Sequence, residues 1–136
     1  MIEFHKNWLH RSYLVIKDKY KEIDSLDQQI GDGDHGSTIL RGLNKVVNNF
    51  ENININNEVD FMSEVSRLMR ISMGGASGIL MTIFIKESAN LNINNIHKSV
   101  LNIFSSTIEK IKKRGKVNIG EKSILDIYYP LHVKIN

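Results

Sequence analysis

The chain lacks cysteine altogether, has one proline in 136 residues, and is poor in aromatics at 7%. Without cysteine there is no disulfide scaffold, no thiolate metal site and no cysteine nucleophile. The same absence fits a cytoplasmic home. The lone proline, Pro130, leaves long uninterrupted helices possible. No apolar run approaches the roughly 20 residues of a membrane span. Met1-Ile2-Glu3-Phe4 has no basic start, so no signal peptide is expected. The formal net charge of +3 is spread along the chain. Only Lys110, Lys112, Lys113, Arg114 and Lys116 cluster, and a solvated helix end accounts for them without nucleic acid.

What is present is helical periodicity. Leu9, Tyr13, Ile16, Tyr20 and Ile23 recur every three or four residues and predict a helix over about 3–23. Ile39, Leu40, Leu43, Val47 and Phe50 predict a second. Val65, Leu68, Met69 and Met73 predict a third. Leu80, Met81, Phe84 and Ile85 predict a fourth, entered through Gly74-Gly75. A fifth follows from Ile96, Val100, Ile103, Phe104, Thr107, Ile108 and Ile111, ending near Gly115. Ser123, with Asp126 three residues on, predicts the cap of a short sixth helix. Residues 51–58 are polar and Asn-rich and read as a surface loop. No repeat or boundary divides the chain, so the expectation is one all-α domain over 1–136.

The chemistry concentrates in Leu26-Asp27-Gln28-Gln29-Ile30-Gly31-Asp32-Gly33-Asp34-His35-Gly36-Ser37-Thr38. Asp27, Asp32 and Asp34 put three carboxylates within eight residues. Carboxylates so crowded repel unless a cation neutralises them, and hard cations such as Mg²⁺ choose oxygen ligands. The glycines free the backbone, and the helix start that follows offers N–H groups and a positive dipole end to phosphate. Metal cage and phosphate cradle together suit a nucleotide–Mg²⁺ complex. The plain alternative is an Asp/Gly turn in which Asp34 or Ser37 only caps the helix. An EF-hand is excluded, because its sixth and twelfth positions would be Ser37 and Leu43.

A second cluster is Met73-Gly74-Gly75-Ala76-Ser77-Gly78. By itself it reads as a close helix crossing; the functional alternative is a flat backbone against a ligand, with Ser77 as hydroxyl donor. A third, Gly115-Lys116-Val117-Asn118-Ile119-Gly120-Glu121-Lys122-Ser123, nearly spells a P-loop. Glu121 intrudes, and the segment follows a helix rather than a strand, so it is not one.

These segments, in this order and with Arg41-Gly42 between the first two, resemble the nucleotide-binding (DhaL) subunits of bacterial dihydroxyacetone kinases. The resemblance runs from about residue 5 to 131, through Arg114-Gly115-Lys116, Gly120-Glu121-Lys122-Ser123, Leu125-Asp126 and Pro130. Fatty-acid-kinase-type domains carry a threonine where His35 stands and fit less well. The resemblance implies an antiparallel barrel of amphipathic helices with ADP or ATP at one end. It implies that Asp27, Asp32 and Asp34 hold two Mg²⁺ ions, and that His35, Gly36, Ser37 and Thr38 lie along the phosphates. Ala76 and Ser77 would also meet the nucleotide. Gly115 and Ile124, the latter usually methionine, would lie near base and ribose.

The implied function is phosphoryl relay. A phosphohistidine protein of the phosphotransferase system rephosphorylates bound ADP, and the γ-phosphoryl then passes to dihydroxyacetone on a substrate-binding partner subunit. No side chain of this chain serves as nucleophile, and no membrane or nucleic-acid partner is implied. Family members continue past Pro130 into helices that close the barrel and a Gly/Arg-rich lid, neither of which can be matched here. The expectation is therefore a C-terminally shortened domain with an uncovered apolar face. The alternative function is a non-catalytic remnant that serves only as an interaction module.

Overall fold

A computed structural model describes residues 1–136, the side chain of Ser77 excepted. It is all-α: α1 Ile2–Asp27, α2 His35–Val47, α3 Glu58–Met73, α4 Gly75–Glu87, α5 Ile96–Gly115 and α6 Leu125–Ile135, with short 3-10 turns at Phe50–Asn52, Ser88–Asn90 and Ile93–Asn95. Each helix packs on the next in sequence. The connections are short, so each helix turns back beside its predecessor.

The periodic positions face inward with two shifts, except Ile96, which opens α5 and is exposed. In α2 the buried stripe is Ile39, Leu43 and Val46, while Val47, the expected member, is half-buried. Asn-rich 51–58 is more than a surface loop: Ile53 and Ile55 pack on the core while the intervening asparagines stay in water. α3 contributes Phe61, Met62, Val65, Met69 and Met73, and its start is capped by Asn57, whose side chain accepts the Asp60 N–H at 2.8 Å. α4 is apolar nearly all round, which suits the helix between α3 and α5. Its Phe84 joins Trp8, Phe104 and Tyr128, drawing α1, α5 and α6 together at ring separations of 5.4–6.4 Å. Burial pushes the Tyr128 hydroxyl up to about 12. On α6, Ile127, Leu131 and Val133 are exposed.

His5 is fully buried, and neither ring nitrogen has a hydrogen-bond partner among the described residues. Burial lowers its basicity, the Amino terminus adds to this, and Glu58 opposes it. The folded chain therefore binds a proton on His5 less readily than the unfolded chain does. Stability is full above the ordinary value of 6.5 and falls as pH drops from there toward the lower folded value. Melting at pH 7.5 and 5.5 should show a larger loss in the wild type than in His5→Leu. Equal losses would exclude His5 as the cause.

Candidate functional site

The candidate site begins at the junction of α1 and α2. α1 runs further than its apolar stripe predicts, so Asp27 is its last residue rather than part of the loop. From there Asp27 Oδ2 accepts three backbone N–H groups: Gly33 at 2.9 Å, Asp34 at 3.1 Å and His35 at 3.3 Å. One carboxylate thus folds the loop back onto the helix. Gly33 supplies the left-handed turn this requires, with φ 75°.

One helical turn earlier, Asp24 accepts the Ser37 N–H at 2.9 Å and also the Ser37 hydroxyl. The Ser37 hydroxyl bond first, and its backbone bond next, hold Asp24 below the usual carboxylate range. The first turn of α2 is therefore capped by two carboxylates of α1, Asp24 and Asp27. Asp34, the residue before α2, makes no side-chain cap, so the simple capping alternative fails for it.

Asp32, Asp34 and His35 are exposed. Among the described residues no three His, Asp or Glu side chains are grouped around one point to hold an ion. The donors are nevertheless of the right chemistry for Mg²⁺: hard carboxylates, two of them open to water. Gly36 and Thr38 are buried, Gly36 against the backbone of Tyr20.

Arg41, three residues beyond Thr38, links this loop to the second glycine segment. Its Nε donates to the Ser72 carbonyl at 2.6 Å, and its Nη2 donates to Met73 O at 3.1 Å and to Thr38 Oγ1 at 3.4 Å. These carbonyls end α3, where the last turn has no helical donors and a cation is favoured. The chain then reverses through Gly74 and Gly75, with φ 70° and 61°. Both glycines and Ala76 are exposed. Ser77 lies in the first turn of α4, and its side chain is outside the described part.

The third segment reaches the same end through Leu80 of α4. A side chain on Gly115 would stand 3.5 Å from Leu80, and Ile124 packs in the same small apolar cluster with Leu80, Ile83 and Val117. Asp126 shapes the loop between them, accepting Gly120 N–H at 2.6 Å and Ser123 N–H at 3.2 Å. The Gly120 bond leads in holding Asp126 below the usual carboxylate range. Ser123 in turn accepts the Leu125 N–H at 3.3 Å, but the cap position of α6 is held by Ile124, one residue later than the expected cap at Ser123. The first segment is thus tied by Arg41 to the second, and the second by Leu80 to the third.

Sequence reasoning missed Asp24. The signal was there: Asp24 and Asp27 occupy the last turn of a helix that has no basic residue in that turn. The dipole disfavours acids there, so another contact must hold them.

The DAK2 domain family matches residues 29–136. The chain is 32% identical over 121 residues to the ADP-binding subunit DhaL of a PTS-dependent dihydroxyacetone kinase from Lactococcus lactis, covering 89% of this chain and 62% of that protein. It is 31% identical over 126 residues to the ADP-binding subunit DhaL of PEP-dependent dihydroxyacetone kinase 1 from Listeria innocua, covering 91% and 64%. The corresponding subunit of Escherichia coli is 29% identical over 129 residues, covering 92% and 61%. The chain thus spans a little under two thirds of the length of these relatives.

Proposed function

Because the chain belongs to the DAK2 domain family, we propose that it is an ADP- and Mg²⁺-binding phosphotransferase component of a dihydroxyacetone kinase. The observation that carries this reading is the linkage of three glycine-rich segments through Arg41 and Leu80, beside an aspartate-ordered helix start. In this reading Asp27, Asp32 and Asp34 hold two Mg²⁺ ions. His35, Gly36, Ser37 and Thr38 lie along the phosphates, with Ala76 and Ser77 beside them. Gly115 and Ile124 border the base and ribose.

Bound divalent cations supply neutralisation of phosphate charge. The chain's own residues supply position: a flat backbone at Gly74-Gly75 and an apolar wall at Ile124, beside an α2 start whose Gly33, Asp34, His35 and Ser37 amides are already held by Asp27 and Asp24. No nucleophile is needed among them, since the acceptor hydroxyl attacks and its base belongs to the partner subunit. The donor would be a phosphohistidine protein of the phosphotransferase system, the acceptor dihydroxyacetone on that partner. The naming of the Lactococcus, Listeria and Escherichia relatives favours this donor over free ATP.

Calorimetric titration of ADP into the folded chain tests the reading. We expect saturable binding with Mg²⁺ and none once the cation is chelated. A folded chain that ignores ADP under both conditions would overturn it. In that case the exposed Ile127, Leu131 and Val133 of α6 favour the alternative, an interaction module without nucleotide.

A further inference from the structure

The outer face of α3, α4 and α5 carries a basic trough that the proposed nucleotide site does not use. A cavity of about 200 Å³ between α3 and α4 runs into one of about 500 Å³ between α4 and α5, and the two share Ile83, Lys86 and Arg114. The acids on this face are already consumed. Glu64 holds Arg67 through two bonds of 2.6 and 2.7 Å. Glu87 is buried and takes Lys110 Nζ at 2.5 Å and the Ser106 hydroxyl at 2.7 Å. Arg70, Lys86, Lys113 and Arg114 remain lining the trough, and none of them makes an ion pair among the described residues. Four like charges stand over a floor of Ile79 and Ile83, partly buried.

We propose that this trough is a docking surface for an acidic protein segment that also carries apolar side chains. Charge complementarity selects the acidic character. The length favours a segment over a small ion, since the two cavities cross three helices. The isoleucine floor gives apolar anchors a seat, the pattern by which an amphipathic segment is read. Nucleic acid is disfavoured, because no aromatic side chain lines the trough for bases to stack on. Arg114 precedes Gly115, and Arg70 stands one turn before Met73, so the bound segment would lie beside the linked glycine segments.

The probe is a fluorescent peptide of alternating Glu and Leu at helical spacing, followed by anisotropy. We expect binding that weakens steeply with salt and falls about tenfold or more in Lys86→Glu/Lys113→Glu. The double variant Lys17→Glu/Lys21→Glu on α1 has the same net charge and should bind within about twofold of wild type. Equal losses in the two double variants would reduce the effect to general attraction and overturn the proposal. So would displacement of the peptide by micromolar inorganic pyrophosphate, or tighter binding of a single-stranded oligonucleotide in the same trough. Neither lysine belongs to the proposed nucleotide site, so Asp32→Ala should lose ADP while keeping the peptide, and Lys86→Glu/Lys113→Glu the reverse.

Discussion

Asp27→Ala is expected to abolish Mg²⁺-dependent ADP binding and to loosen the fold as well, whereas Asp32→Ala is expected to abolish binding alone. The difference lies in what each carboxylate touches. Asp27 Oδ2 gathers the Gly33, Asp34 and His35 amides, so its loss leaves three donors without their acceptor. Two of the three bonds are exposed to water, which can replace them. Removing a charged cap of this kind costs about 1–2 kcal/mol. Asp32 is exposed, so its removal should leave stability unchanged. Loss of a metal-ligating carboxylate lowers affinity by about 100-fold or more, beyond what a mere outer-shell partner costs. Asp27→Asn separates the two roles, since the amide oxygen still accepts N–H groups but brings no charge. It should restore most of the stability and little of the binding. Urea unfolding beside ADP calorimetry reads both. An Asp27→Ala chain that binds ADP like wild type would remove Asp27 from the metal set.

The helices were legible because each has an apolar stripe of period near 3.6 and a marked end. Their registers were less so. Val46 and Val47 are adjacent and equally apolar, and only packing on α1 and α3 selects Val46. α1 extends beyond Ile23 because Asp24 and Asp27 bond the next helix, which periodicity does not register. Ile53 and Ile55 sit in an Asn-rich stretch that reads as a surface loop, yet both pack on the core side. At the site, the residue types were readable but their uses were not. Arg41 lies 31 residues from Ser72, and nothing local to either announces the bond. Of the three carboxylates that read as a metal cage, Asp27 also serves as a helix cap. Both roles demand oxygen acceptors near a glycine-freed backbone, so residue type alone does not separate them.

Gly36→Ala is expected to be the most destabilising single methyl in the molecule. A Cβ at Gly36 would collide with the Tyr20 carbonyl oxygen and stand 2.9 Å from both Tyr20 C and Cα. All three are backbone atoms in the middle of a helix, so no rotamer change can relieve them. α2 must instead move off α1, opening the contact that also buries Thr38 and Ile39. Overpacking of this rigid kind costs about 3 kcal/mol, the upper part of its usual range. For a domain of this size that lowers the melting temperature by about 10 °C. Gly42→Ala is the control. Its Cβ would meet Met73 Cγ at 2.7 Å and Sδ at 3.0 Å, the flexible part of a methionine that can swing aside. A loss of about 1 kcal/mol is expected there. The displacement in Gly36→Ala also pulls the first turn of α2 from Asp24 and Asp27, so nucleotide binding should fall with stability. Equal melting temperatures for the two variants would mean that α1 and α2 cross less closely than the Gly36–Tyr20 contact requires. A Gly36→Ala chain as stable as wild type would place the need for glycine at the phosphate rather than at the helix crossing.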